Sequence, residues 1–221
     1  MTGRAISFRR PPPLLLGFGI VALAVALVLA AGWALGRWPV AFDREIMLGL
    51  RDWGGPPWLR PAAVAVTTLG NGSTLTGVVL VTAAVLAVAR HRLTALATLL
   101  AALTGGWAVT LIKHAIGRPR PTLVEHWAIV RDLSFPSGHS ASSAVVYLTL
   151  AALVAQVVRG RARRRAIIAG AVLLVGAIGC SRVYLGVHWP SDVLAGWSLG
   201  TAWAIGWWLA TAQARASLRR E

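Results

Sequence analysis

Charge is scarce in this sequence, acid is scarcer still, and cysteine is all but missing. Only 13% of the 221 residues are charged, about half the share of a soluble domain, and seven acids stand against 22 basic residues. So little charge beside 57% hydrophobic residues excludes a disordered tail, a collagen-like repeat and an ordinary soluble domain. The one cysteine, Cys180, lies inside an apolar run, which excludes an internal disulfide and a cysteine-built metal cage. Lysine is equally rare, for every basic residue except Lys113 is arginine. What is plentiful is apolar sequence, with 23 glycines and 11 tryptophans, the composition of an integral membrane protein. A formal charge of +15 would suit nucleic acid, yet the arginines sit in short clusters between apolar runs, as loops beside a bilayer do. The expected partner is the lipid bilayer and no nucleic acid.

A hydrocarbon core of about 30 Å takes about 20 apolar residues in a helix. Six runs are candidates: Leu14–Leu35, Ser73–Ala89, Leu93–Ile112, Ala141–Val158, Ala166–Gly179 (running on towards Val183) and Val193–Ala212. The expected fold class is therefore all-α, one polytopic membrane domain over 1–221 with six transmembrane helices. The second run is short, and its helix is expected to begin near Pro61 and bend at Gly70-Asn71-Gly72. The first run is too long for a signal peptide and ends without a small-residue cleavage signal, so it reads as a span. With the N-terminus inside, 13 of the 22 basic residues fall on the inner side, clustered around Arg9, Arg90, Arg163 and Arg219. Six of the seven acids and four of the five histidines fall outside. The positive-inside rule then puts a multi-pass protein in the plasma (inner) membrane with both termini cytoplasmic, and the mixed charge puts chemistry on the extracytoplasmic face. Between the first two runs Ile46, Met47, Leu50 and Trp53 recur at helical spacing, which reads as a short helix lying in the outer interface, with a packed loop as the alternative. Trp33, Trp38, Trp53, Trp58, Trp189 and Trp197 read as interfacial anchors.

Three polar clusters share that outer side. In Lys113-His-Ala-Ile-Gly-Arg-Pro-Arg120-Pro121, the glycine and prolines break the helix and let Arg120 turn back towards Lys113. Two cations brought close repel unless an anion sits between them, and phosphate suits an arginine fork beside a lysine point charge. Basic residues that snorkel to headgroups are the ordinary alternative. In Ser134-Phe-Pro136-Ser137-Gly138-His139-Ser140, a helix start offers bare N–H groups to an anion, Gly138 leaves room for close approach, and His139 can move a proton. A plain N-cap by Ser137 or Ser140 would explain the serines but not the histidine. In Ser181-Arg182…His188-Trp-Pro-Ser-Asp192, Asp192 lies one turn after His188 and can hold one ring nitrogen, making the other a better base or nucleophile. Lys113, Arg120 and Arg182 nearby disfavour a metal and favour an anion. His114 and His126 read as interfacial or loop residues.

These motifs resemble those of the type 2 phosphatidic acid phosphatase family: Lys-x6-Arg-Pro at Lys113…Arg120-Pro121, Pro-Ser-Gly-His at Pro136–His139, and Ser-Arg-x5-His-x3-Asp at Ser181-Arg182…His188…Asp192. The resemblance implies hydrolysis of a lipid phosphate or diphosphate without metal or cofactor. His188 would attack phosphorus to give a phosphohistidine, with Asp192 orienting it and His139 serving the leaving oxygen. Lys113, Arg120, Ser137, Gly138 and Arg182 would hold the phosphoryl oxygens. The substrate is a phosphorylated membrane lipid, open between polyprenyl (pyro)phosphate, phosphatidylglycerol phosphate and phosphatidic acid, and the oligomeric state is open as well. Phosphotransfer by the same site, a vanadate-dependent haloperoxidase and a non-enzymatic scaffold or transporter with a relic site are the other readings.

Overall fold

The structure is a computed structural model that describes residues 13–36, 40–130 and 132–218. Trp38 and the arginines at 4, 9, 10, 37, 131, 219 and 220 lie outside the described residues. All regular structure among those described is helical: α1 (Pro13–Leu35), α2 (Ala41–Trp53), α3 (Leu59–Thr68), α4 (Gly72–Val88) and α5 (Arg92–Ile116) come first. Then α6 (Gly138–Ser143), a π-helical turn (Ala144–Leu148) and α7 (Thr149–Val157) form one run, followed by α8 (Arg161–Tyr184) and α9 (Pro190–Leu218).

Among the described residues four helical stretches are long and apolar enough to cross a membrane: Leu14–Leu35, Arg92–Ile116, Gly138–Gln156 and Arg161–Tyr184. The pair α3 and α4, bent by 47° at the expected Gly70-Asn71-Gly72 break, makes a fifth. The sixth expected span lies within α9, which is helical throughout, but its glycines, tryptophans and hydroxyl residues leave it less apolar than the others. The arginines of the 159–165 cluster fall largely in the first turns of α8 rather than in a loop. Leu15, Phe18, Leu23, Leu27 and Trp33 of α1, like Leu80, Val81 and Val85 of α4, point away from the protein, the arrangement a lipid solvent demands.

Small residues let the central helices meet backbone to backbone. A Cβ on Gly200 would sit 2.3 Å from the Ala141 carbonyl oxygen, and one on Gly196 would sit 2.7 Å from that of Ser137. That close approach clamps α9 onto the start of α6. Trp197 donates its indole N–H to the Val175 carbonyl (3.1 Å) and ties α9 to α8. Trp189 is buried, donating to the Pro119 carbonyl (3.2 Å). These two tryptophans are packing residues, a correction to their reading as anchors, whereas Trp33, Trp53 and Trp58 are exposed.

Candidate active site

The three clusters converge at the end of the bundle where α5 and α8 stop and α6 and α9 begin. Gly117, left-handed at φ +67, terminates α5 and sends the chain off the helix axis. Arg120 then turns back, as its motif suggested. Its Nη1 donates to the Val187 carbonyl (2.6 Å) and lies 3.2 Å from His188 Nε2. On the far side of the ring, His188 Nδ1 is 3.3 Å from Asp192 Oδ2. One tautomer satisfies both contacts: Nδ1–H donates to the carboxylate, and Nε2 keeps its lone pair towards Arg120. Burial, with the charges of Arg120, Lys113 and Arg182 adding to it, holds this imidazole well below the usual histidine pKa of 6.5. The ring is therefore neutral at neutral pH, with a lone pair on Nε2.

Around it the expected phosphate ligands gather. Arg182 is buried and donates through Nη1 to Thr67 Oγ1 of α3 (2.9 Å), while its buried Nε has no partner among the described residues. Lys113 Nζ lies 3.2 Å from Asp132 Oδ2. The Ser137 hydroxyl caps α6, accepting from the Ser140 N–H (3.5 Å) and hydroxyl (3.1 Å). Ser137 N–H itself donates to the Asp192 carbonyl (3.0 Å), which stitches two of the motifs together. Gly138 opens α6, and a Cβ there would approach Lys113 Cε at 4.0 Å. His139 is reached by the charges of Arg182, Arg120, Lys113 and Asp132, and its Nε2 lies 2.9 Å from Asn71 Oδ1. Among the described residues no group of three His, Cys, Asp or Glu side chains could hold a metal ion.

Residues 94–216 match the family model described as PAP2 superfamily. The chain belongs to the PAP2 superfamily. It is similar to phosphatidylglycerophosphatase B of Bacillus subtilis (strain 168), 34% identical over 149 residues that span 65% of this chain and 71% of the relative. It is also similar to decaprenylphosphoryl-5-phosphoribose phosphatase of Mycobacterium tuberculosis, 41% identical over 96 residues, 41% of this chain and 46% of the relative. The crystal structure of a transmembrane PAP2 type phosphatidylglycerolphosphate phosphatase from Bacillus subtilis superposes with a TM-score of 0.72 at 24% identity, covering 91% of this chain and 97% of that one. As a PAP2 protein with phosphatases among its relatives, the chain is a membrane phosphatase.

The candidate site holds more than the three motifs. Arg118, fully buried, bridges two fully buried carboxylates, donating to Asp192 Oδ1 (2.8 Å) and Asp43 Oδ2 (2.7 Å). Asp43 also accepts from the Ser191 N–H (2.9 Å) and hydroxyl (2.7 Å), so α2 caps the start of α9. The second Asp192 oxygen takes the Ser134 hydroxyl and the Trp189 N–H (2.9 Å) besides His188. Asp43, Ser134, Asn71, Thr67 and Asp132 carried no site role in the sequence reading. Asp43 left a trace there, an acid in register with Met47 and Leu50 on the inward stripe of its helix. His114 Nδ1 and His126 Nε2 pair with local carbonyls, of Thr110 (2.8 Å) and Pro121 (2.6 Å).

Proposed function

We propose that this PAP2 phosphatase hydrolyses a phosphorylated membrane lipid, a monoester or a diphosphate, through a phosphohistidine on His188. The observation that carries the reading is the His188 ring held between Asp192 and Arg120, which presents the Nε2 lone pair among Lys113, Arg120 and Arg182. In the first step Nε2 bonds to phosphorus, the P–O bond to the lipid breaks, and His139 gives its proton to the departing oxygen. Asp192 balances the positive charge that forms on His188, and the three cations with the α6 N-terminus take the equatorial oxygens. In the second step His139 draws a proton from water, which attacks phosphorus and breaks the P–N bond. Asn71 holds His139 for both.

A lipid substrate is supported by the relatives' names and by an apolar groove of about 670 Å³ between α2, α3, α8 and α9. Phe42, Val66, Tyr184 and Val193 line it, as do Ser181 and Pro190, chain neighbours of Arg182 and Trp189. In the membrane, α9 is the sixth span, α2 lies in the interface, both termini are cytoplasmic, and the site faces outward from a single domain.

Purified protein in detergent should release phosphate from phosphatidylglycerol phosphate, phosphatidic acid or a polyprenyl phosphate with EDTA present. His188→Ala should abolish release and His139→Ala nearly so. A strict requirement for a divalent metal, or activity surviving in His188→Ala, would overturn the mechanism.

A further inference from the structure

Two of the three cations in the pocket already hold an anion, and it belongs to the protein. Asp132 Oδ2 sits 3.2 Å from Lys113 Nζ, and Oδ1 accepts from Arg120 Nη2. The carboxylate is 62% exposed while the Lys113 and Arg120 side chains beneath it are 8% and 11% exposed, so Asp132 covers them from the water side. Main-chain contacts hold the cations independently of that carboxylate: Arg120 Nε donates to the Asp132 carbonyl (2.7 Å), Arg120 Nη1 to the Val187 carbonyl (2.6 Å), and Lys113 Nζ to the Leu133 carbonyl. A rotation about the Asp132 side chain alone would free one donor on each cation and leave both in place. Arg182 Nε, buried without a partner among the described residues, is a third donor awaiting an oxygen.

We propose that Asp132 is a specificity-determining residue, a resident carboxylate that keeps singly charged phosphodiesters out of the cation pocket and yields to a doubly charged phosphate. The proposal rests on the lipid phosphatase reading above. At the bilayer surface the pocket meets phosphodiester headgroups in great excess, each carrying one negative charge. Exchanging Asp132 for such a headgroup gains no charge and costs the headgroup its hydration. A terminal phosphate carries close to two charges at pH 7 and offers three acceptor oxygens, so the same exchange gains a charge and fills Arg182 as well.

The test is inhibition of lipid hydrolysis by two probes, inorganic phosphate and phosphatidylglycerol in mixed micelles, with phosphate binding also measured by calorimetry on the full chain. Asp132→Asn should bind phosphate about tenfold more tightly, as loss of a competitor held by two charge-assisted contacts requires. It should also become sensitive to phosphatidylglycerol, which hardly inhibits the parent. Asp132→Glu, which keeps the carboxylate, should stay close to the parent in both. Phosphate binding that is unchanged or weaker in a folded Asp132→Asn, or equal phosphatidylglycerol sensitivity in all three proteins, overturns the proposal. A parent that binds no phosphate at all overturns the phosphatase reading instead.

Discussion

Arg118 joins two carboxylates that no water reaches, and the orientation of His188, the proposed nucleophile, depends on that joint. Asp43 holds one side of the guanidinium and the Ser191 backbone, and Asp192 holds the other side and His188. Breaking a buried ion pair at one end costs about 3–5 kcal/mol, because the remaining charge stays buried without compensation. Asp43→Asn should therefore lower the melting temperature and reduce kcat more than it raises KM, as seen by thermal unfolding beside steady-state kinetics. An unchanged kcat would confine Asp43 to a structural role. His188 sets the pH response. In the proposed mechanism only its neutral form attacks, and burial with the neighbouring cations lowers its pKa below 6.5, so activity should persist through neutral pH and fall on acidification below the usual histidine range. Lys113→Met removes one of those cations, which raises the His188 pKa and should move the acid limb of kcat to higher pH. A limb that stays put would mean that another group titrates there. The motif residues were legible in the sequence because their chemistry is rare at a helix end: a lone lysine, a His–Asp pair one turn apart, a glycine beside a histidine. Arg118 and Asp43 were not, since either is an ordinary surface charge until the fold buries both.

At the scale of elements, the site depends on how closely α9 approaches α6. Gly196 and Gly200 lie one turn apart on the α9 face that meets Ser137, Ala141 and Ala144. Gly200→Val would drive a branched side chain into the Ala141 carbonyl and force the helices apart, an overpacking penalty of about 1–3 kcal/mol. Because Ser137 N–H is bonded to the Asp192 carbonyl across the same contact (3.0 Å), the separation should shift His139 relative to His188. kcat/KM should fall about a hundredfold while detergent-solubilised protein remains folded by circular dichroism; full activity would show that the contact does not position the site. Here the sequence was readable in part. Apolar runs announced the helices, and Gly70-Asn71-Gly72 announced the bend that brings Asn71 to His139. The pairing of helices was not readable, because glycines spaced four apart occur widely in membrane helices and only the folded structure shows which of them touch. The segment from Thr122 to Leu133 was equally opaque, since its path is set by Lys113, Arg120 and Arg51 drawing on its carbonyls rather than by its own pattern.

The whole molecule separates charge end to end. Along α8 the arginines at 161–165 and the site residue Arg182 lie roughly 30 Å apart at 1.5 Å per residue, the thickness of a hydrocarbon core. Arg92 and Lys113 occupy opposite ends of α5 in the same sense. Among the described residues the end remote from the site carries arginines and no acid and suits an anionic cytoplasmic leaflet, while the site end carries Asp43, Asp132 and Asp192 among its cations. An orientation follows that chemistry can read. In a Cys180→Ser background, Glu125→Cys on the exposed loop beside the site should react with a membrane-impermeant maleimide in intact spheroplasts. Arg163→Cys at the basic end should react only after the membrane is opened. The reverse pattern would place His188 against the cytoplasm, and the substrate would then be sought among lipids of the inner leaflet.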